Sequence, residues 1–352
     1  MSEVIVTFRN MKDKDFVTPP MQVPEDFTDA QMEQFLNAFL SHDKSYAFFY
    51  NGEQIQKIPS AEKEQTIEIE FIAVTKILSE SAKIDVNTPI TSISIRRNPE
   101  IHIDTVVICN TAGDTKEYSL APGLELIKEF NSFKPIRAVT STESGIYVLT
   151  TTNKVVDISK AEIIFESEQP IRTISNCQEY LAIGLSTDEL VILKDNEEVK
   201  RIKTSGEIGK TIFREIEGEL VLIAAIVVGV IEVYRGTEWS KTSYKLPTPI
   251  TAAGFEDGKV YAGGLGGTIF ICSLEGIEKQ YQSDVDFISR IECGTVFFGY
   301  TNKNNILIRD KENYTGTHKI ELGAPVADMK ISGKRLFVAE GNSLKIFNIF
   351  DE

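Results

Sequence analysis

Histidine, tryptophan and cysteine are scarce in this chain of 352 residues: three, one and four, respectively. His42, His102 and His318 stand far apart, and none lies in an HExxH or near a Gly-x-Ser-x-Gly. A zinc hydrolase or a serine–histidine triad therefore has little to work with. Cys109, Cys177, Cys272 and Cys293 are scattered, and no pair has zinc-ligand spacing. At least three fall in segments that read as strands, so they read as buried, reduced thiols of a cytosolic or nuclear protein. Long apolar runs are missing too. The most apolar stretch, 220–231, has twelve residues, against the ~20 needed for a helix to span a bilayer; it reads as a buried hairpin. The N-terminus runs straight into a strand, with no signal-peptide pattern.

Basic residues are outnumbered. Lys and Arg total 37 against 52 Asp and Glu, a net charge of −15. Residues 1–72 carry 13 acidic and 6 basic side chains, net −7, and the other 280 carry 39 and 31, net −8. Extensive RNA binding needs Lys and Arg to displace counterions from phosphates. The sign here points to protein partners, with any RNA contact local, although acidic surfaces also simply keep proteins soluble.

What the chain does have is repetition. A short apolar strand, a tight polar or glycine turn and a second strand recur at 146–158, 180–193, 260–272, 296–309 and 336–348. A hairpin repeated at this spacing cannot bury its own face and must stack on its neighbours. Each is preceded by a strand with a recognisable lead-in: Pro89-Ile90, Pro135-Ile136, Pro170-Ile171, Pro249-Ile250, Asp284-Val285 and Pro325-Val326. Pro suits the first residue of a strand because it has no amide to donate. A weaker lead-in at Glu207-Ile208 fills the long gap after Pro170 and precedes a hairpin at 220–234. The result is seven units of roughly 35 to 45 residues, the length of a four-stranded propeller blade. The seventh is short, because the chain ends at Glu352. The unassigned strand at 73–86 is expected to supply its missing outer strand and so close the ring.

Residues 1–72 read as a separate domain. Val4-Ile5-Val6-Thr7-Phe8 forms a strand, and a second lies near 16–23. Thr28 and Gln31 have the spacing of a capping box, and Phe27 and Met32 that of a hydrophobic staple. Met32, Phe35, Leu36, Phe39 and Leu40 fall on one helical face. Strands at 46–50 and 66–72 follow, with an Asn51-Gly52 turn after the first. The expected fold is therefore mainly β: a ubiquitin-like β-grasp domain, then a seven-bladed WD40-like β-propeller over 73–352.

The segments Val4-Ile5-Val6-Thr7-Phe8, Val23-Pro24, Leu36-Asn37-Ala38-Phe39-Leu40, Tyr46-Ala47-Phe48-Phe49-Tyr50-Asn51-Gly52-Glu53 and Ile67-Glu68-Ile69-Glu70-Phe71 resemble the notchless-type ubiquitin-like domain. In that family the domain precedes a WD-repeat propeller, and the members are assembly factors of the large ribosomal subunit. Two branches are candidates. One is the WD-repeat subunit of the PeBoW complex, with seven blades; the other is notchless itself, with eight, and blade count favours the first. Over the propeller the resemblance is architectural only. Trp239 is the sole Trp, and there is no Trp-Asp or Gly-His dipeptide, so the usual WD-repeat hydrogen-bond network is not expected.

The resemblance singles out one carboxylate. In the family, a Glu at the position of Glu64, three residues before the apolar Ile67, completes the coordination of a metal ion in the MIDAS site of midasin, a giant AAA+ ATPase. Mg²⁺ wants a hard anionic oxygen at ~2.1 Å in octahedral geometry, and an exposed loop Glu can supply one. Glu64 would then be a metal ligand in trans, with no metal or cofactor bound by this chain alone. Glu62 is the neighbour most easily confused with it, and from local sequence alone either is a solvated loop residue. The resemblance further implies the block-of-proliferation and pescadillo subunits and the pre-60S particle as partners, and the nucleolus and nucleoplasm as location. A second surface comes from the residues themselves. Six hairpin turns are polar or glycine, whereas the fourth is Ile226-Val227-Val228-Gly229, so Val227 and Val228 are candidates for partner binding.

Enzyme readings mostly fail. Gly263-Gly264-Leu265-Gly266-Gly267 lacks a Gly-Lys-Ser/Thr ending and occupies a turn of the repeat. Asp284, Asp286 and Asp328 read as a solvated face; a glycosidase-type propeller would need carboxylates converging on the central channel. The expectation is a non-catalytic assembly factor whose propeller docks on a partner and whose small domain offers a handle to a remodelling ATPase. A general adaptor in protein degradation is the alternative from another class.

Overall fold

The computed structural model describes the chain apart from residues 1–2, 12, 14, 41–44, 60–65, 75, 121–122, 131–134, 144, 284, 296, 312–316 and 351–352. Two compact units are distinguished, one centred on residues up to Leu78 and the other on Ser79–Ile308 and Lys319–Asn348.

The first unit contains β1 (Glu3–Asn10), β2 (Met21–Pro24), α1 (Asp29–Leu40), β3 (Ser45–Tyr50), β4 (Glu53–Ile55) and β5 (Thr66–Val74). They form one sheet in the order β2-β1-β5-β3-β4, in which β1 and β5 run parallel. The alternation of β1 sends Val4, Val6 and Phe8 into the core, where they meet Phe48, Ile67, Ile69 and Phe71. The capping box closes as expected: the Thr28 amide donates to Gln31 Oε1 at 2.9 Å, and the Gln31 amide to Thr28 Oγ1 at 3.4 Å. The buried face of α1 is narrower than the periodicity predicts. Met32 and Leu36 are buried, but Phe39 is exposed and held by ring contacts to Phe35 at 5.8 Å and Phe16 at 6.4 Å. The short strand β4 was not legible as such. Only the turn before it was, with Asn51 at φ 52° and Gly52 at φ 81°, the left-handed pair that a tight hairpin requires.

The second unit consists of seven four-stranded sheets. Their first strands are Ile90–Arg97, Ile136–Ser141, Ile171–Cys177, Ile208–Ile216, Ile250–Glu256, Arg290–Cys293 and Val326–Ser332. Sheets one to six are each built from four consecutive strands; the seventh combines the last three strands of the chain with β6 (Lys76–Asp85). Ser81 Oγ donates to the Ile346 carbonyl at 3.0 Å and the Val86 amide to the Asn342 carbonyl at 2.8 Å, so β6 runs antiparallel to its neighbour. The first strands of successive sheets contact one another in order, and the seventh contacts the first. Together they line a cavity of about 530 Å³. The arrangement is consistent with WD40-type blades.

Two boundaries differ from the sequence reading. Residues 73 and 74 continue β5, because Ala73 pairs with Tyr46 and Val74 with Ser45; the added strand is therefore 76–85 rather than 73–86. The first strand of sheet six begins at Arg290 instead of near Val285. The intervening backbone is taken by the turn of sheet five: the Gly266 amide donates to the Asp286 carbonyl at 2.8 Å and the Ile288 amide to the Gly264 carbonyl at 3.2 Å. Asp284 lies outside the described residues.

Without Trp-Asp dipeptides, two sheets enclose a glutamate completely. Glu117 is fully buried and accepts from Arg96 Nε at 3.0 Å, Asn98 Nδ2 at 3.0 Å and Thr105 Oγ1 at 2.7 Å. Glu232 accepts from Tyr234 Oη at 2.6 Å, Lys241 Nζ at 2.6 Å and the Ser205 amide at 3.0 Å. Burial alone would raise both carboxyls, but these donors hold each below its ordinary range. The sole tryptophan fills sheet four from a turn, its ring 5.9 Å from Tyr180 and 5.8 Å from Phe213.

Candidate functional site

Glu64 and Glu62 lie outside the described residues. The frame around them is defined. Ile58 is buried, its amide bonded to the Phe27 carbonyl at 3.0 Å. On the other side, β5 starts at Thr66, paired with Ile5, and Ile67 is the first residue of that strand to enter the core. Ile58 and Thr66, the described residues on either side of the segment with Glu64, are thus both fixed in the small domain. Beyond Thr66, β5 shows an acidic outer face in which Glu68 pairs with Arg9 at 2.7 Å, both half-exposed, a contact worth little in water.

The fourth hairpin turn separates into two roles. Val227 is half-buried, and its backbone is fixed on both sides: its amide donates to the Glu207 carbonyl at 2.9 Å and its carbonyl accepts from the Ile250 amide at 3.0 Å. Its side chain covers Gly209, where an added Cβ would stand 3.4 Å from Val227 Cγ2. Val227 is therefore largely local packing. Val228 is 58% exposed. Gly229 makes the turn possible at φ 91°, since a side chain there would stand 2.5 Å from the Thr248 carbonyl oxygen.

Sequence reasoning missed two residues that share this character. Leu265, in the corresponding turn of sheet five, is 54% exposed, and Phe287, bridged to it, is 36% exposed. Leu265 was hidden among four glycines, and Phe287 in a segment read as the start of a strand. With Leu265 exposed, the fourth turn no longer stands alone against six polar ones; adjacent sheets four and five each present an apolar tip.

The residues weighed for catalysis are dispersed. Gly263 and Gly264 end a strand and 265–267 form the hairpin turn, with Gly266 and Gly267 at φ 78° and 70°. Asp286 is exposed. Asp328 is buried rather than solvated, contrary to the sequence reading: its Oδ2 accepts from Ser92 Oγ at 2.8 Å and from the Ile93 amide at 3.0 Å. His42 lies outside the described residues, His102 is exposed, and the half-buried His318 has its pKa lowered by burial. All four cysteines are free, and burial pushes the Cys109 thiol up to about 12 and Cys272 to about 11. Among the described residues no group of three or more His, Cys, Asp or Glu side chains could hold a metal ion. No helix among them is long and apolar enough to cross a membrane.

Residues 4–57 match the family model of the NLE (NUC135) domain, the N-terminal domain of notchless-type ribosome-biogenesis WD-repeat proteins. The match takes in β1, β2, α1, β3 and β4 and stops short of Glu64. A comparison with curated proteins finds no match.

Proposed function

We propose that the protein is a non-catalytic assembly factor of the large ribosomal subunit, acting in rRNA maturation as an adaptor between a partner assembly factor and the midasin ATPase. One observation carries this reading: an NLE domain at residues 4–57 is followed by seven four-stranded sheets, the order of parts in ribosome-biogenesis WD-repeat factors. In this reading residues 1–72 are a ubiquitin-like β-grasp domain. Residues 73–352 are a closed seven-bladed propeller whose last blade is completed by β6. The cyclic contacts of the first strands and the addition of β6 to the C-terminal strands support closure.

Glu64 is the handle. The backbone is fixed at Ile58 before Glu64 and at Thr66 after it, and fixed flanks lower the ordering cost of binding. The Glu64 carboxylate would take the open position on a MIDAS-bound Mg²⁺ and let ATP-driven pulling detach the factor from the pre-60S particle. Docking falls to the propeller, with Val228 as its exposed apolar contact and Val227 beneath it. The block-of-proliferation and pescadillo proteins are the partners of the seven-bladed branch, and the site of action is the nucleolus and nucleoplasm. The net charge of −15 fits protein partners better than extended RNA contacts.

Affinity purification with mass spectrometry tests the reading. Wild type should recover large-subunit assembly factors and midasin. Glu64→Ala should lose midasin alone, and chelation of divalent metal should mimic it. Val228→Asp should lose the docking partner while retaining midasin. Recovery of proteasome subunits in place of ribosome factors would overturn the proposal, and full retention of midasin by Glu64→Ala would remove the ligand role.

A further inference from the structure

The cavity lined by the seven first strands is electrically polarised, against the charge of the chain that builds it. Six basic side chains line it: Arg137, Arg172, Lys210, Arg214, Arg290 and Lys330. The lining acids are Glu256, Glu292 and Asp328, so the wall carries +6 − 3 = +3 in a protein of net −15. The two signs are not mixed evenly. Sheets two, three and four contribute Arg137, Arg172, Lys210 and Arg214 and no carboxylate to the wall; every lining acid comes from sheets five, six and seven.

The acids of the far side are also largely engaged. Glu292 pairs with Lys330, and Asp328 accepts from Ser92 and the Ile93 amide with Arg290 at 3.5 Å. On the near side, Arg172 leans out to Glu207 at 2.6 Å and Arg214 donates to the Phe213 carbonyl at 2.9 Å. Arg137 and Lys210 have no ion-pair partner among the described residues. Burial, then the like charges of Lys330 and Arg290, push Lys210 down to about 8 against the opposing pull of Glu292 and Asp328; burial, then Arg172, lowers Arg137. Two neutral donors between them are also unused. Ser175 Oγ and Asn176 Nδ2 both lie in the wall, are 9% and 7% exposed as residues, and lack a hydrogen-bond partner.

Two unpaired cations and two buried donors without acceptors on three adjacent strands give this side of the wall the character of an anion site. Arg137 is exposed and Lys210 half-buried; water can satisfy a hydroxyl or an amide, but it brings no charge to set against two cations of like sign. The occupant that satisfies all four carries several negative, acceptor-only oxygens. At about 530 Å³ the cavity has the size of a small-molecule site and exceeds what one simple ion fills. We propose that the cavity binds a small soluble anion bearing several phosphoryl groups, held on the wall formed by sheets two to four through Arg137, Lys210, Ser175 and Asn176. Phosphoryl oxygens suit a guanidinium in bidentate geometry and an ammonium as a point charge.

Isothermal titration calorimetry of the full chain with inorganic tripolyphosphate and with inositol hexakisphosphate tests this. Wild type should bind one equivalent of at least one of them, more weakly at high salt and more weakly at pH 9 than at pH 7 as Lys210 loses its proton. Lys210→Gln and Arg137→Gln should each raise Kd about tenfold or more, and Ser175→Ala should raise it severalfold without lowering the melting temperature. Arg201→Gln, an outer-strand residue paired with Glu189 and Glu198, should bind as wild type does. Lys210→Gln relieves a desolvated charge, so its ligand-free melting temperature should not fall. Absence of binding by wild type, equal binding by the cavity variants, or an equal loss in Arg201→Gln would overturn the proposal. So would binding only to vesicles that carry a phosphoinositide, because a soluble ligand would then be the wrong source.

Discussion

Six of the seven sheets in the larger unit are each made by a continuous stretch of chain; the seventh is assembled from both of its ends. The joints between sheets differ as well. The first strands of sheets one to four are tied by neutral groups: Ser141 to Ser94 at 2.7 Å, Thr140 to Asn176 at 2.6 Å, and Thr173 to Thr211 at 3.2 Å. Those of sheets six and seven are joined by charge, Lys330 with Glu292 and Arg290 with Asp328 at 3.5 Å. The joint between sheets seven and one uses a buried carboxylate, Asp328, which takes a hydroxyl and a backbone amide from the strand Ile90–Arg97. Residues 86–89 link β6 of sheet seven to the first strand of sheet one, but the last three strands of sheet seven meet sheet one more than two hundred residues away in sequence through noncovalent groups alone. Hydrogen bonds to a charged acceptor are the stronger kind for such a contact.

The comparison can be broken most severely by removing β6. Deleting residues 1–72 should leave a soluble, folded unit, whereas deleting 1–87 should leave sheet seven three-stranded with an open edge and give aggregates. Equal melting temperatures and solubility of the two truncations would show that the borrowed strand closes nothing. Next in size is Asp328→Ala, which strands a buried amide and hydroxyl; denaturant unfolding should show a loss of about 2–4 kcal/mol.

Titration sharpens the same joint. Burial would raise the Asp328 carboxyl, but Lys330, Arg290, Lys210 and the Ile93 amide outweigh it and hold the group below its ordinary 3.8. A carboxyl depressed in the folded state stabilises it fully above the ordinary value, and that contribution is lost as pH falls through the folded-state value. The stability gap between wild type and Asp328→Asn should therefore be constant above about pH 5 and shrink in acid; a gap independent of pH down to 2 would contradict the charge-based account. The smallest effect belongs to a neutral joint. Thr173→Val should cost about 1 kcal/mol, and a loss as large as that of Asp328→Ala would erase the distinction.

Much of this architecture is written in periodicity. Alternating apolar residues and positive-φ turns fix each hairpin locally, and Pro-β-branched lead-ins mark five first strands, so the series of sheets could be counted from sequence. What escaped depends on partners distant in the chain. Asp328 looks like any acidic residue at a strand start until Ser92 and Ile93 are brought to it. Leu265 is inconspicuous among glycines until its turn is seen to be exposed. The cavity was least legible of all. In six sheets the register shifts just after the first residue of the first strand, as between Ile136 and Ala138 or Ile208 and Lys210. Such bulges re-aim side chains, and simple alternation therefore misassigns which residues face the centre. The Glu64 handle drew its meaning from family likeness, since nothing local distinguishes it from Glu62.

The strand that completes sheet seven ties the order of synthesis to the completion of the fold. Strand β6 precedes every other strand of the larger unit in the chain, and its antiparallel neighbour is the last strand of all. Sheet seven can therefore gain its fourth strand only after all the intervening sheets have been made. Until then β6 lacks the partner its backbone donors and acceptors require.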